Sequence, residues 1–438
     1  MSAIKTKLAA MNFLEFAVWG AYLTSLGIYL AGAGLGDKIY WFYTVQGIVS
    51  IFMPAIIGII ADRWIQAQKM LSLCHLIAGA AMMAAAWYCH TAGENIEFGP
   101  LFTFYTVSVA FFMPTIGLAN SVAYTALGKA GLDTVKHFPP IRVFGTVGFI
   151  ASMLLTNFVQ IDGVSMQKTY FQLVSSGLFS FVLAFYALTM PKCPTSKATS
   201  TSLVDAFGLR AFTLFKQKKM AIFFIFSMLL GVSLQITNGY GTTFINAYES
   251  IAEYADTWGA QNATALISLS QVSETLCILL IPFCLKRFGI KGVMMIAMIG
   301  WVLRFGFFGL GNPGSGVWLF VLSMIVYGVA FDFFNISGSL YVDKQTDPTM
   351  RSSAQGLFML MTNGVGATFG TLAAGQVVNN YVYSQPTAEM QISGWHTSWY
   401  IFAVYALAVA ILFWLIFKDD EKPRITTDKA LTEEDMTI

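Results

Sequence analysis

Among the ionisable side chains inside long apolar runs of the sequence, Glu15, Arg142, Glu274, Arg304 and Asp332 are the candidates for chemistry. At the centre of a bilayer each costs about 2.5–3.5 kcal/mol on insertion scales, so such groups face an interior cavity, pair with one another or mark an ion path. Carboxamides stand near them at helical spacing. Gln235 and Asn238 are three residues apart, as are Gln271 and Glu274, which brings each pair onto neighbouring positions of one helix surface. A carboxamide offers two donors and an acceptor, the complement of a hydroxylated sugar or a nucleobase edge. Polar groups at membrane depth also bond helix to helix, and spacing alone leaves both readings open.

The segment SMIVYGVAFDFFNISGS, residues 323–339, carries Tyr327 and Phe331 on one helix face and Asp332 and Asn335 on the next. Aromatic faces beside a carboxylate suit a flat, polar-edged ligand, because bases stack on aromatic rings; the same stripe can be plain packing. Burial disfavours the ionised form of a carboxylic acid, which makes Asp332 a candidate to take and release a proton. A permanent ion pair with Arg304 or Arg142 is its structural alternative. Arg142, Thr146 and Phe149 follow at i, i+4 and i+7. On a central face this guanidinium could bind ligand oxygens or hold a carboxylate ionised, whereas the two prolines just before it suit an anchor at the membrane edge. Glu15 begins a face continued by Trp19 and Tyr22, which either looks into the same cavity or ends in water.

The elements that must position these groups are membrane helices. Only 11% of the 438 residues are charged while 56% are hydrophobic, against about 25% charged in soluble domains. The mean hydropathy is +0.65. This apolar content exceeds what one or two compact cores could hide, so lipid is the solvent for much of the chain. Runs long enough to span a bilayer fall at 8–30, 41–61, 70–90, 100–127, 140–160 and 169–190, and again at 219–245, 262–285, 292–311, 315–341, 353–378 and 397–417. The expectation is an all-α integral membrane protein of twelve transmembrane helices in two six-helix halves, 1–190 and 219–417. Between them, 191–218 is a polar linker whose Leu203, Phe207, Ala211 and Leu214 have the spacing of an interfacial helix. The charged tail 418–438 lacks apolar periodicity and reads as disordered.

With the N-terminus inside, 21 Lys and Arg residues fall on the cytoplasmic side and two, Lys38 and Lys168, outside, which by the positive-inside rule puts both termini in the cytoplasm. Lys5 and Lys7 precede the first apolar run with no small-residue cleavage site, so that span is expected to be retained. A faint echo links the halves: Pro139 stands three residues before Arg142, and Pro348 three before Arg351. Two six-helix halves around a long loop suit a transporter of repeated construction.

Several chemistries find no support. A net charge of +2 spread along the chain does not make a nucleic-acid face. Cys74, Cys89, Cys193, Cys277 and Cys284 form no C-x-x-C pair and read as small core residues. The four histidines, His75, His90, His137 and His396, have no metal-ligand spacing, and no P-loop, G-x-S-x-G or H-E-x-x-H motif occurs. No enzyme, metal or cofactor is expected.

After the second span, GIIADRW places Gly58, Asp62 and Arg63 where they resemble the loop motif of the major facilitator superfamily, although Ile65, Gln66 and Ala67 replace the family's next glycine and basic cluster. Longer stretches carry a closer likeness: FPPIRVFGTVGFI at 138–150, KKMAIFFIFSMLLGVSLQITN at 218–238, ISLSQVSETLCILLIPF at 267–283 and SMIVYGVAFDFFNISGS. Together they resemble the bacterial nucleoside/proton symporter family over nearly all of the membrane portion. The resemblance implies a major facilitator fold in the bacterial inner membrane and import of nucleosides with protons. It implies substrate contacts at Arg142, Thr146, Phe149, Gln235, Asn238, Gln271, Glu274, Tyr327 and Phe331, proton coupling at Asp332 with Glu274, and a gating loop at Gly58, Asp62 and Arg63. Glu15, in NFLEFAVWG, departs from the neutral glutamine expected in related permeases and adds a third acid to the coupling candidates. The partners expected are a nucleoside, protons and the lipid bilayer, with the chain as a monomer. The rival reading is a proton-coupled facilitator for another hydroxylated small molecule such as a sugar, since hydroxyl-reading amides serve either. A receptor or passive channel would show no uphill accumulation.

Overall fold

A computed structural model describes residues 3–195, 209–346 and 351–418. The chain runs through α1 (Ala3–Gly20), α2 (Leu26–Gly32), α3 (Ile39–Arg63), α4 (Ala67–Ala92), α5 (Phe98–Lys129), α6 (Thr134–Phe158) and α7 (Phe171–Ala187). A second set follows as α8 (Lys218–Ala247), α9 (Ala263–Cys277), α10 (Ile281–Leu310), α11 (Val317–Gln345), α12 (Arg351–Met359), α13 (Ala367–Val378) and α14 (Ala388–Ile416). Among the described residues, nine segments are long and apolar enough to cross a membrane. One of these, Ala263–Leu310, has 48 residues, about 72 Å at 1.5 Å per residue, or two crossings. It reverses at Gly289, whose φ of 68° is open to glycine at little steric cost. The hydrogen bond from Arg304 Nη1 to Ser270 Oγ at 3.3 Å joins residues 34 apart and requires that reversal. The helices turn large apolar side chains outward, Leu279 at 75% exposure and Phe185 at 65% among them, as a lipid-facing surface demands.

The first and eleventh spans depart from simple helices, and the fifth begins earlier than expected. The first is broken by a turn over residues 21–25 into α1 and α2; the Tyr43 hydroxyl donates to the Leu23 carbonyl at 2.6 Å, satisfying an acceptor that the break frees. The eleventh is α12, a π-helical stretch Leu360–Gly366, and α13. The fifth starts earlier than the proline pair suggested, at Thr134, so that Arg142 lies eight residues inside α6, about 12 Å along its axis. A small hairpin, β1 (Gln160–Ile161) and β2 (Val164–Ser165), interrupts the all-helical pattern. Its Asp162-Gly163 turn has positive φ at both residues, as a tight hairpin requires. Leu203 and Phe207 of the expected interfacial helix lie outside the described residues, as does 419–438; Leu209–Lys216 forms a 3₁₀ helix.

Helices α1–α7 pack chiefly among themselves, as do α8–α14. The two groups meet where α3 contacts α13 and the π-helical stretch, where α6 contacts α9, and where α2 contacts α8. Small residues permit these approaches: a Cβ on Gly47 would come within 2.8 Å of the Thr368 backbone nitrogen.

Candidate substrate cavity

The cavity lies between the two groups of helices and leaves about 150 Å³ free for the centres of water-sized molecules. From α6 it is lined by Arg142, Thr146 and Phe149, from α8 by Asn238, from α9 by Gln271 and Glu274, and from α11 by Tyr327 and Phe331. Spacing explains the sharing of faces: on α6 and α11 the lining residues recur at i, i+4 and i+7 or at i and i+4. Eight of the nine residues expected to contact substrate therefore converge on one space.

Tyr327 and Phe331 present rings within 7° of parallel, with centroids 5.7 Å apart. Opposite, Trp19 meets Phe149 edge-on at 6.2 Å, and the Arg142 guanidinium stacks over Phe16 at 3.8 Å. That stacking keeps a cation at membrane depth, and among the described residues Arg142 has no ion pair. Glu274 lines the same cavity as Arg142 from the facing helix α9. The oxygen of Gln271, Oε1, is buried with no hydrogen-bond partner, which leaves an acceptor in the wall of the cavity.

Three expected residues stand elsewhere. Gln235 is buried one turn from Asn238 with Oε1 unpartnered, and it does not line the cavity. Asp332 is likewise behind the wall, next to Phe331 in α11, 6% exposed with Oδ2 unpartnered. Among the described residues it has no ion pair. The alternative partner Arg304 is occupied: it donates to the Ser323 carbonyl at 2.8 Å and lies 4.4 Å from the Tyr327 ring centroid. Glu15, expected to share the cavity or meet water, does neither. It is fully buried and hydrogen-bonded to His75 and Thr115, while Trp19 from the same face lines the cavity and Tyr22 packs edge-on against Tyr105.

Reading by spacing missed Phe16, Leu23 and Leu234 in the lining, as well as His75. Leu23 enters the wall because the first span breaks there, and a partner for Glu15 could have been sought among polar residues in mid-span. Gly58 and Arg63 lie on the last turns of α3 beside the short connection to α4, away from the cavity; the Asp62 side chain lies outside the described residues. A smaller void behind Phe331 is lined by Asn335, Thr362 and Asn363.

Polar contacts tie the two groups of helices together at the end of the molecule remote from both termini. There Asn157 Nδ2 donates to Asn262 Oδ1 at 2.8 Å and Asn157 Oδ1 accepts from the Ala265 amide at 3.0 Å. Gln167 Nε2 donates to the Gln261 carbonyl at 3.0 Å, and Asn379 Nδ2 to the Asp37 carbonyl at 2.9 Å.

Known proteins resemble this chain over nearly its whole length. The family model described as "Nucleoside H+ symporter" matches residues 1–422. The chain is 44% identical over 434 residues to the xanthosine permease of Escherichia coli (strain K12), covering 98% of this chain and 100% of the relative. It is 43% identical to the nucleoside permease NupG of the same organism, covering 95% and 96%. A crystal structure of nucleoside transporter NupG superposes with a TM-score of 0.84 at 42% identity, covering 95% of this chain and 100% of that one. A bacterial homologue of the lysosomal transporter Spinster, at 14% identity and a TM-score of 0.65, shares the fold alone. The chain is a multi-pass membrane transporter of the major facilitator fold and belongs to the nucleoside H+ symporter family.

Proposed function

We propose that this protein carries nucleosides and protons together into the bacterial cell across the inner membrane, opening its central cavity alternately to each side. The observation that carries the reading is the facing of Arg142, Thr146 and Phe149 on α6 by Asn238, Gln271, Glu274, Tyr327 and Phe331 across one space. Asn238 and Gln271 read ribose hydroxyls and base edges. Phe149, Tyr327 and Phe331 hold the flat ring. Gln235, one turn from Asn238, backs the amide cluster.

Glu274 and Asp332 carry the proton in this reading. Arg142 answers the negative charge when they are ionised, and turns to the ligand when a proton replaces it. Coupling requires that the ligand favour one protonation and conformational state over the other, because a ligand that binds all states equally shifts nothing. With residues 1–190 and 219–417 as the moving halves, the polar contacts around Asn157, Gln167 and Asp37 form the closed outer side. The present state then opens toward the cytoplasm, where the positive-inside count places both termini.

Uptake of a labelled nucleoside into vesicles under an imposed pH gradient tests this. Wild-type protein is expected to accumulate nucleoside above the equilibrium level and to lose accumulation when a protonophore is added. Asp332→Asn is expected to abolish accumulation while sparing exchange of nucleoside for nucleoside, and Glu274→Gln, at a residue that also lines the cavity, to abolish accumulation and weaken exchange. Undiminished gradient-driven accumulation in both variants overturns the assignment. Competition by disaccharides but not by nucleosides would show a sugar transporter instead.

A further inference from the structure

Glu15 and His75 form a buried pair that the cavity chemistry leaves unused. Both side chains have 0% exposure. His75 Nε2 lies 2.9 Å from Glu15 Oε2. The Thr115 hydroxyl sits between Glu15 Oε1, at 2.5 Å, and the Phe112 carbonyl, at 2.6 Å. Across the imidazole, Nδ1 lies 2.9 Å from Ser180 Oγ. Four helices, α1, α4, α5 and α7, each contribute one of these side chains.

Counting hydrogens shows what the pair must hold. The Ser180 hydroxyl lies 3.0 Å from the His75 backbone carbonyl and 2.9 Å from Nδ1, and its single hydrogen goes to one of them, so the tautomer of the ring follows its choice. In each tautomer the 2.9 Å contact between Nε2 and Oε2 is a hydrogen bond only with one proton between them. That proton rests on the ring nitrogen or on the carboxylate oxygen. Losing it would set two lone pairs against each other and leave a buried charge uncompensated, the costly case for a buried pair.

The pair reaches the cavity through packing. Glu15 immediately precedes Phe16 and lies one turn from Trp19, both of which line the cavity. His75 meets Phe112 edge-on at 6.0 Å, and Phe112 packs on Trp19 at 5.9 Å. We infer that Glu15 and His75 are positioning residues: they keep their shared proton through the transport cycle and fix the depth and rotation of α1, and so the placement of Phe16 and Trp19 against the bound nucleoside. This rests on the reading of the cavity as the nucleoside site.

Glu15→Gln separates positioning from proton carriage. The amide N–H replaces the shared proton by donating to Nε2, and the amide oxygen accepts from Thr115. The expected result is a KM for labelled uridine within about threefold of wild type, with gradient-driven accumulation intact. The double variant Glu15→Leu/His75→Leu removes both polar partners and is expected to raise KM tenfold or more per folded transporter. Loss of accumulation with intact exchange in Glu15→Gln would mean that the Glu15 proton travels, and an unchanged KM in the double variant would mean that the pair only fills space; either overturns the inference. Should the double variant not fold, Glu15→Gln alone decides. Wild-type protein that takes up no nucleoside overturns the functional reading instead. The pair is then judged by thermal unfolding, where Glu15→Gln should hold and Glu15→Leu should fall by several degrees, and equal falls would refute the interlock.

Discussion

Lys168 and Glu249 join the two groups of helices across the end remote from both termini, with the ammonium nitrogen 2.7 Å from Oε1 and 2.5 Å from Oε2 of the carboxylate. Lys168 lies between β2 and α7 and Glu249 just beyond α8, so the pair must part if this end is to open. Both side chains keep some contact with water, 32% and 22% exposed, which limits such a pair to about 1 kcal/mol. Lys168→Ala is accordingly expected to shift the balance about fivefold toward the state open at this end. Spin labels at positions 162 and 256, in a background without the native cysteines, should show a larger population of long distances. The exchanged pair Lys168→Glu/Glu249→Lys should restore the original distribution, and failure to do so would mean that the bridge does not latch this end.

Tyr327 and Phe331 stack on each other within the cavity wall, and a base lying on that surface extends the stack. Stacking of a base on an aromatic side chain is worth about 1–3 kcal/mol. Phe331→Ala is therefore expected to weaken nucleoside binding by about five- to hundredfold, read as KM for uptake or as Kd by calorimetry on purified protein. Phe331→Tyr should keep most of the affinity. Equal losses in the two variants would argue that the ring packs the helix rather than the ligand.

Arg304 has a different task. Its guanidinium is 1% exposed and is held by the Ser323 carbonyl, Ser270 and the Tyr327 face. It ties α10 to α9 and α11 behind the cavity. Arg304→Ala strands these acceptors and is expected to cost about 3 kcal/mol of stability. Arg304→Lys, which keeps the charge but not the planar fork, should cost about half of that. Thermal unfolding in detergent measures both, while uptake per folded molecule should change little. A large loss of uptake at unchanged stability would place Arg304 in the transport chemistry.

How far the site can be read from sequence follows from helix geometry. Residues at i, i+4 and i+7 on α6 stay within one face, and all three reach the cavity. A spacing of three turns a helix by 300°, leaving about 60° between side chains; Asn238 faces the cavity while Gln235 turns aside. Adjacent residues differ by about 100°, which is why Phe331 lines the cavity and Asp332 stands behind it. Contacts between distant segments leave no such trace. His75 meets Glu15 across 60 residues. The break in the first span has no proline to announce it and depends on Tyr43, supplied by another helix. The reversal at Gly289 was legible as a polar, basic interruption between two apolar runs, because membrane length itself limits how long a straight helix can be.

Arg142 and Glu274 provide the last test, because they face one another from α6 and α9 across the same cavity. Each single neutralisation leaves the other charge without its counterpart across a confined space, and an uncompensated charge in such a space is costly. Arg142→Gln and Glu274→Gln are each expected to lower nucleoside exchange at least tenfold. The double variant should lose less than the product of the two single losses, with a coupling of about 1 kcal/mol or more. Gradient-driven accumulation should not return in the double variant, because the acid that binds the proton is gone. Strict additivity in the exchange assay would show that Arg142 and Glu274 act on substrate independently, and recovered accumulation would leave Asp332 as the sole carrier.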